Sequence, residues 1–243
     1  MEKSKTGEFH FVTESYLLDF RGRISIPMIG TYLLHAASIH AAQRGFGFSD
    51  MNSSHTAWVL SRLAIEMDEY PGISEKITLY TWIEEAGRLF TSRCFELVNA
   101  AGRPFGFARS VWAAIDMETR RPAPLDVDAL NAYKTDRPCP IEKPGKITPV
   151  ENEAPGEPYE VKYSDLDVNG HLNSIKYMER LLDRFAIEMY KEKAVSRFEI
   201  AYLSEGKYGM PLTFHTMETS PGKYSQAVCH EGKAICRAAT TWQ

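Results

Sequence analysis

The sequence is written twice. SRLAIEMDEYPGISEKITLYT from Ser61 and SRFEIAYLSEGKYGMPLTFHT from Ser196 align without a gap at an offset of 135 residues. Ser, Arg, an apolar residue and Ile65/Ile200 coincide, as do Thr78/Thr213, Leu79/Phe214 and Thr81/Thr216. Gly87-Arg88 meets Gly222-Lys223 at the same offset. The hairpin that follows is five residues shorter in the second copy, after which AGRPFGFARSVW matches EGKAICRAATTW, ending on Trp112 and Trp242. The period far exceeds that of solenoid repeats, so the expectation is two similar domains.

Both copies share one grammar. Each opens with an apolar helix. In the first, MIGTYLLHAASIHAAQRG, the residues Ile29, Leu33, Ala36, Ala37 and His40 form one stripe and Gly45 is a terminator. In the second, NSIKYMERLLDRFAIEMYK, the residues Ile175, Met178, Leu182, Phe185 and Met189 recur at steps of three and four. Strands follow. AWVLSRLAIEMDEY, KITLYTWIEEA, LFTSRCFELVN and PFGFARSVWAAID alternate and are rich in β-branched and aromatic residues, with Gly102 and Gly232 at hairpin turns. Between the copies, Asp116 to Val150 holds six of the 13 prolines, so it reads as a connector with a short helix at Val127 to Tyr133. The expected class is α+β: one helix per copy with an antiparallel meander wrapped around it, the two sheets side by side so that each covers an edge of the other. The expected organisation is an N-terminal domain over 1–122, a Pro-rich linker over 123–154 and a C-terminal domain over 155–243.

The chain has 243 residues, enough for one large or two small cores. A net charge of -4 gives no global attraction to nucleic acid. MEKSKTGEFHFVTES lacks an apolar core of signal-peptide length, and no apolar run is long enough to cross a bilayer, so a cytoplasmic protein with no membrane partner is expected. Cys94, Cys139, Cys229 and Cys236 form no CxxC pair, which argues against zinc. They read as small buried thiols, although Cys229 and Cys236 would face each other across a two-residue Gly232-Lys233 turn.

YSDLDVNGHLNSIKYMERLLDRF, from Tyr163, concentrates polar groups directly before the second helix. Asp165, Asp167, Asn169, His171 and Asn173 are spaced by two, so alternate residues tend to face one way. The helix then starts near Asn173 or Ser174, where its first N–H groups lack internal partners and suit a developing oxyanion. Asp167 or His171 can activate water or attack, with Asn169 orienting either. Asx residues also cluster before helices simply to cap and turn. Against that, the corresponding stretch of the first copy, FRGRISIPMIGTY, has no Asp, Asn or His at these places. Glu205, in YLSEGKYG, is a second carboxylate at a strand end.

SDLDVNGHLNSIKYMERLLD resembles the catalytic segment of acyl-acyl-carrier-protein thioesterases, the bacterial and plant fatty acyl-ACP hydrolases, whose pattern is Asp-x-Asn-x-His followed by Asn. TAWVLSRLAIEMDEYP resembles the family's first-domain strand segment, and YLSEGKYGMPL its downstream Glu segment. The resemblance implies a double hotdog fold, packed as a pseudo-dimer, and hydrolysis of the thioester between a fatty acyl chain and the phosphopantetheine arm of acyl carrier protein. By position it makes Asp167, Asn169, His171 and Glu205 the catalytic residues, and it implies no metal or redox cofactor. It also implies that the first domain shapes the acyl pocket and that a basic patch, drawn from Arg180, Arg184, Lys176, Lys207 or others, meets the acidic carrier. Some members have Cys after the Glu; here that residue is Gly206, which excludes a thiol nucleophile at this position. What remains is Asp167 or Glu205 as base or nucleophile; Asp167 is expected at the centre, with Glu205 polarising or positioning water and Asn169 and His171 orienting the carbonyl and the base. The alternatives are an acyl-CoA thioesterase, a hotdog hydratase or dehydratase, and a non-catalytic acyl-thioester-binding module. Monomer and homodimer both fit.

Overall fold

The computed structural model describes residues 4–150 and 156–243, and the chain divides into two compact units, residues 1–143 and 144–243. The end of the expected linker (151–154) and the first residue of the expected second domain (155) lie outside the described residues.

In the first unit β1 (Thr6–Val12) leads through a short 3-10 turn into α1 (Ile26–Ala42) and α2 (Phe48–Ser53). Then come β2 (Thr56–Met67), β3 (Lys76–Ala86), β4 (Phe90–Val98) and β5 (Pro104–Asp116). The strands form an antiparallel sheet in the order β1-β3-β4-β5-β2, with β6 (Pro122–Ala123) added on β5. Helix α1 starts because Ser25 accepts the Met28 N–H and a proline occupies the first turn, where no N–H is needed. The stripe predicted from spacing is buried throughout: Ile29, Leu33 and Ala36 are fully shielded, as is His40. Ile29 and Leu33, each worth about 1.5–3 kcal/mol when fully buried, hold the helix where its own propensity would not. His40 is the polar exception, its Nδ1 accepting from Arg93 Nη1 on β4 at 3.0 Å.

The proline-rich segment forms α3 (Val127–Asn131) within the predicted span. Beyond it the chain lies on the sheet of the first unit. Trp82 Nε1 donates to the Arg137 carbonyl at 3.0 Å and Arg109 Nη2 to the Cys139 carbonyl at 2.9 Å.

The second unit repeats the plan with β7 (Gly156–Glu160), α4 (Ser174–Leu182), α5 (Ile187–Glu192), β8 (Val195–Tyr202), β9 (Pro211–Ser220), β10 (Lys223–His230) and β11 (Lys233–Trp242). Its antiparallel order is β8-β11-β10-β9-β7. The single helix expected over 173–191 is instead two. The break lets Phe185 meet Tyr224 and Trp242 edge-on, with ring centroids 5.0 Å away in each case. At the break the Leu182 carbonyl accepts from the Phe185 N–H at 3.2 Å and from the Tyr190 hydroxyl at 2.8 Å. The register also corrects the cysteine pairing. The turn is Glu231-Gly232, so Cys236 pairs with Val228 and Cys229 with Ala234, and all four thiols are free.

Each unit is a hotdog, an antiparallel sheet around one principal helix, and the chain is a tandem of two.

Candidate active site

The segment Leu166 to Leu172 doubles back on itself. Leu166 and Leu172 pair as an antiparallel bridge, the Asp167 N–H donates to the His171 carbonyl at 2.8 Å, and the Gly170 N–H donates to the Asp167 carbonyl at 3.0 Å. Gly170 sits at φ +75°, a left-handed conformation that side-chain-bearing residues avoid. The Asp167 carboxylate supports this reversal from inside. Its Oδ1 accepts the N–H of Asn169 at 2.8 Å and that of His171 at 3.0 Å. Then Asn173 caps α4, its Oδ1 accepting the Ile175 N–H at 2.8 Å. The main-chain N–H groups of Ser174 and Lys176 meet no acceptor among the described residues, so the helix tip presents donors with partial positive charge.

A second strand end closes against this loop. The Leu172 N–H donates to the Gly206 carbonyl at 2.9 Å, and His171 bridges Lys207. This clamp carries Glu205 to the imidazole: His171 Nε2 lies 3.2 Å from Glu205 Oε2. Both side chains are partly shielded, at 24% and 36% exposure, which strengthens their interaction over that of a solvated pair while leaving room for water. Gly206 is closely packed. A Cβ there would stand 3.0 Å from both the Leu172 Cβ and the Tyr177 hydroxyl, so a side chain at 206 would have to displace Leu172 or Tyr177.

Thus the structure brings His171 and Glu205 together, turns Asp167 onto its own backbone, and leaves Asn169 exposed at the turn. Three of the basic residues considered for a docking patch are engaged: Lys176 with Glu179, Arg180 with Asp165 and Asp183, and Arg184 with Glu157. Lys207 is exposed and has no ion pair among the described residues.

The first unit supplies a control. At an offset of 148 residues, Asp19 makes the same turn as Asp167: its N–H donates to Arg23 O at 2.8 Å, and Gly22 N–H to Asp19 O at 2.9 Å. Its Oδ1 accepts from the N–H groups of Arg21 at 2.9 Å and Arg23 at 3.2 Å. Gly22 has φ +72°. The Ile24 N–H donates to Pro71 O at 2.9 Å, as Leu172 does to Gly206. Asp19 stands directly before FRGRISIPMIGTY, so the expectation that the first copy carries no acid here is corrected. The aspartate belongs to the fold in both units. What differs is Arg21 for Asn169, Arg23 for His171, and Tyr70 for Glu205.

The sequence reading also missed the burial of Asp165. Its carboxylate is fully shielded and accepts from the Tyr159 hydroxyl at 2.5 Å, the Lys162 N–H at 2.8 Å and Arg180 Nη2 at 3.3 Å. Burial pushes its pKa up, but these three donors outweigh that and hold it below the usual carboxylate value. No local spacing announces the cluster; aligning the two copies would have, because the first has Leu17, Phe11 and Tyr32 at these positions.

Two hotdog units in tandem, the second bearing a histidine–carboxylate pair at the tip of its helix, define the class of architecture to which the chain belongs. Comparison with known proteins gives the family. The acyl-ACP thioesterase N-terminal domain matches residues 5–133 and the C-terminal domain residues 150–243. An acyl-ACP thioesterase from Bacteroides thetaiotaomicron superposes with a TM-score of 0.93 at 42% identity, covering 98% of each chain. The 12:0-ACP thioesterase of Umbellularia californica shares the fold, with a TM-score of 0.89 at 20% identity over 100% of this chain and 99% of that one. Oleoyl-acyl carrier protein thioesterase 2 of Arabidopsis thaliana is 27% identical over 84% of this chain, which spans 61% of that protein's length. The chain belongs to the acyl-ACP thioesterase family, a family of thioester hydrolases.

Proposed function

We propose that the protein hydrolyses fatty acyl-ACP thioesters to free fatty acid and acyl carrier protein, with the second unit carrying the chemistry. The observation that supports this reading most is the His171 Nε2 to Glu205 Oε2 contact of 3.2 Å beside the α4 tip. Glu205 accepts a hydrogen bond from Nε2–H, which keeps that proton on Nε2 and leaves the Nδ1 lone pair able to take a proton from water. The water oxygen adds to the thioester carbonyl, and the C=O electrons move onto oxygen. The open N–H groups of the helix tip, with the exposed Asn169 amide, supply donors for that oxyanion. Collapse re-forms the carbonyl and breaks the C–S bond, and the imidazolium returns its proton to the departing thiolate. Asp167 contributes by shaping the turn that presents Asn169 and His171.

The chemistry asks for positioning and electrostatics only, because a thioester is already activated. The test is a parallel assay of free thiol release from one acyl chain presented on acyl carrier protein and on coenzyme A. Faster turnover of the carrier-bound chain is expected. Equal or faster turnover of the coenzyme A ester would make the protein an acyl-CoA thioesterase, and release from neither would remove the hydrolase reading.

A further inference from the structure

The buried Asp165 cluster poses a physical problem. A buried ion pair is usually no better for stability than apolar residues of similar volume. The first unit demonstrates the apolar solution in the same fold: Phe11 and Tyr32 stack there with centroids 4.1 Å apart and planes 9° from parallel, and Leu17 stands in the place of Asp165. The second unit has Tyr159, Arg180 and Asp165 at those places, with the Arg180 guanidinium 4.9 Å from the centre of the Tyr159 ring. The fold therefore does not require the charges. They occur in the unit that also carries His171 and Glu205.

Their connections indicate their use. Tyr159 lies on β7, Arg180 on α4, and Asp165 on the 3-10 turn that opens the loop. The Asp165 carbonyl accepts the N–H of Asn173, the residue that caps α4, at 2.8 Å. One residue thus ties both ends of the segment 166–173: its carboxylate holds the near end to the strand and the helix, and its main-chain carbonyl holds Asn173 at the far end. We infer that Tyr159, Asp165 and Arg180 form a positioning network, which fixes the loop and helix tip so that His171 stays in register with Glu205. None of the three is assigned contact with substrate. This inference rests on the proposed hydrolysis for its kinetic part only.

The experiment transplants the solution of the first unit. The variants are D165N, Y159F, and the triple Y159F/D165L/R180Y, with His171 ring resonances assigned by comparison with H171Q. Displacement of a catalytic group by about 1 Å costs up to about 100-fold in rate, so kcat is expected to fall about 10- to 100-fold in D165N and in the triple variant, with KM within about twofold. Y159F, which loses one hydroxyl, is expected to lose less. The His171 resonances are expected to shift or broaden in every variant that lowers kcat. A triple variant that folds and keeps both wild-type kcat and wild-type His171 resonances overturns the inference. If the triple variant does not fold, D165N and Y159F with wild-type kcat and unmoved His171 resonances overturn it equally. Should the wild-type protein hydrolyse no acyl thioester, the proposed function fails, and the His171 resonances alone decide the positioning claim.

Discussion

Replacing Asp167 by asparagine or alanine, with the same pair of changes at Asp19, separates the aspartate's service to the fold from any service to chemistry. Each aspartate accepts two backbone N–H groups, at 2.8 and 3.0 Å for Asp167 and at 2.9 and 3.2 Å for Asp19. A hydrogen bond to a charged group is worth about 1.5–3 kcal/mol when shielded. Both side chains are only half-buried, and water takes over part of the role, so the alanine variants should lose about 1–2 kcal/mol. In a chain of this size that lowers Tm by about 2–8 °C, with the larger drop at D19A because Asp19 also pairs with the Arg21 guanidinium at 2.8 Å. Asparagine keeps a carbonyl oxygen in the Oδ1 position, so D167N should hold the turn and lose less than half of this. Kinetics then separate the roles. D19N and D19A should leave kcat unchanged, D167A should lower it by displacing His171, and D167N should keep kcat within about tenfold of wild type, since a general base contributes about 10²–10⁴-fold and the proposed base is His171. Thermal unfolding and steady-state thiol release measure both quantities. A D167N protein with wild-type Tm and no turnover would refute the reasoning and make Asp167 the base or nucleophile.

Other expectations follow from the same geometry. E205Q, which keeps the shape but removes the charge facing His171 Nε2, should cut kcat about 10²- to 10⁴-fold with little change in KM; wild-type turnover would remove Glu205 from the mechanism. The buried imidazole of His40 is pushed down from its ordinary 6.5 to about 3, by burial first and then by Arg93 and Arg44. The unfolded chain holds the extra proton between those values, so this part of the stability is complete above about pH 6.5 and drains as the pH falls towards 3. At pH 4.5 the loss is about 3 kcal/mol at roughly 1.4 kcal/mol per unit, and urea unfolding of H40Q should lack it. Cys139, brought down to about 7 by its hydrogen bond with Cys94 and by Arg109 against the effect of burial, should be the first cysteine alkylated by iodoacetamide near neutral pH. Cys94, Cys229 and Cys236 are buried and pushed up, so mass spectrometry that finds any of them labelled first would contradict this assignment.

The repeat, the strands and the α1 stripe were legible because hydrophobic period and turn residues are local signals. The strands Lys76–Ala86 and Pro104–Asp116 begin and end where alternation does. The break after Leu182 was not legible. The spacing of Ile175, Met178, Leu182 and Phe185 continues smoothly through it, and what ends the helix is an aromatic nest assembled from Tyr190, Tyr224 and Trp242. The partnership of His171 with Glu205 was visible only as two motifs 34 residues apart; the clamp from Leu172 to Gly206 that joins them is a tertiary hydrogen bond.

Duplication makes an internal comparison possible wherever the two units superpose in hydrogen bonding, and it sorts the polar residues by purpose. A residue that keeps its type and its bonds in both copies answers to the backbone: Asp19 and Asp167 do so, as do Gly22 and Gly170. A residue whose bonds exist in one copy alone must answer to something that copy does alone. His171 with Glu205 and the charged network around Asp165 fall in that second group, and both converge on the same seven-residue reversal and the same helix tip. The first unit keeps the reversal, replaces the imidazole by Arg23, and fills the network's place with stacked rings. An arginine cannot act as a base at neutral pH. The two units therefore hold the same loop with the same backbone bonds, and the second places an imidazole beside a carboxylate where the first has Arg23 and Tyr70.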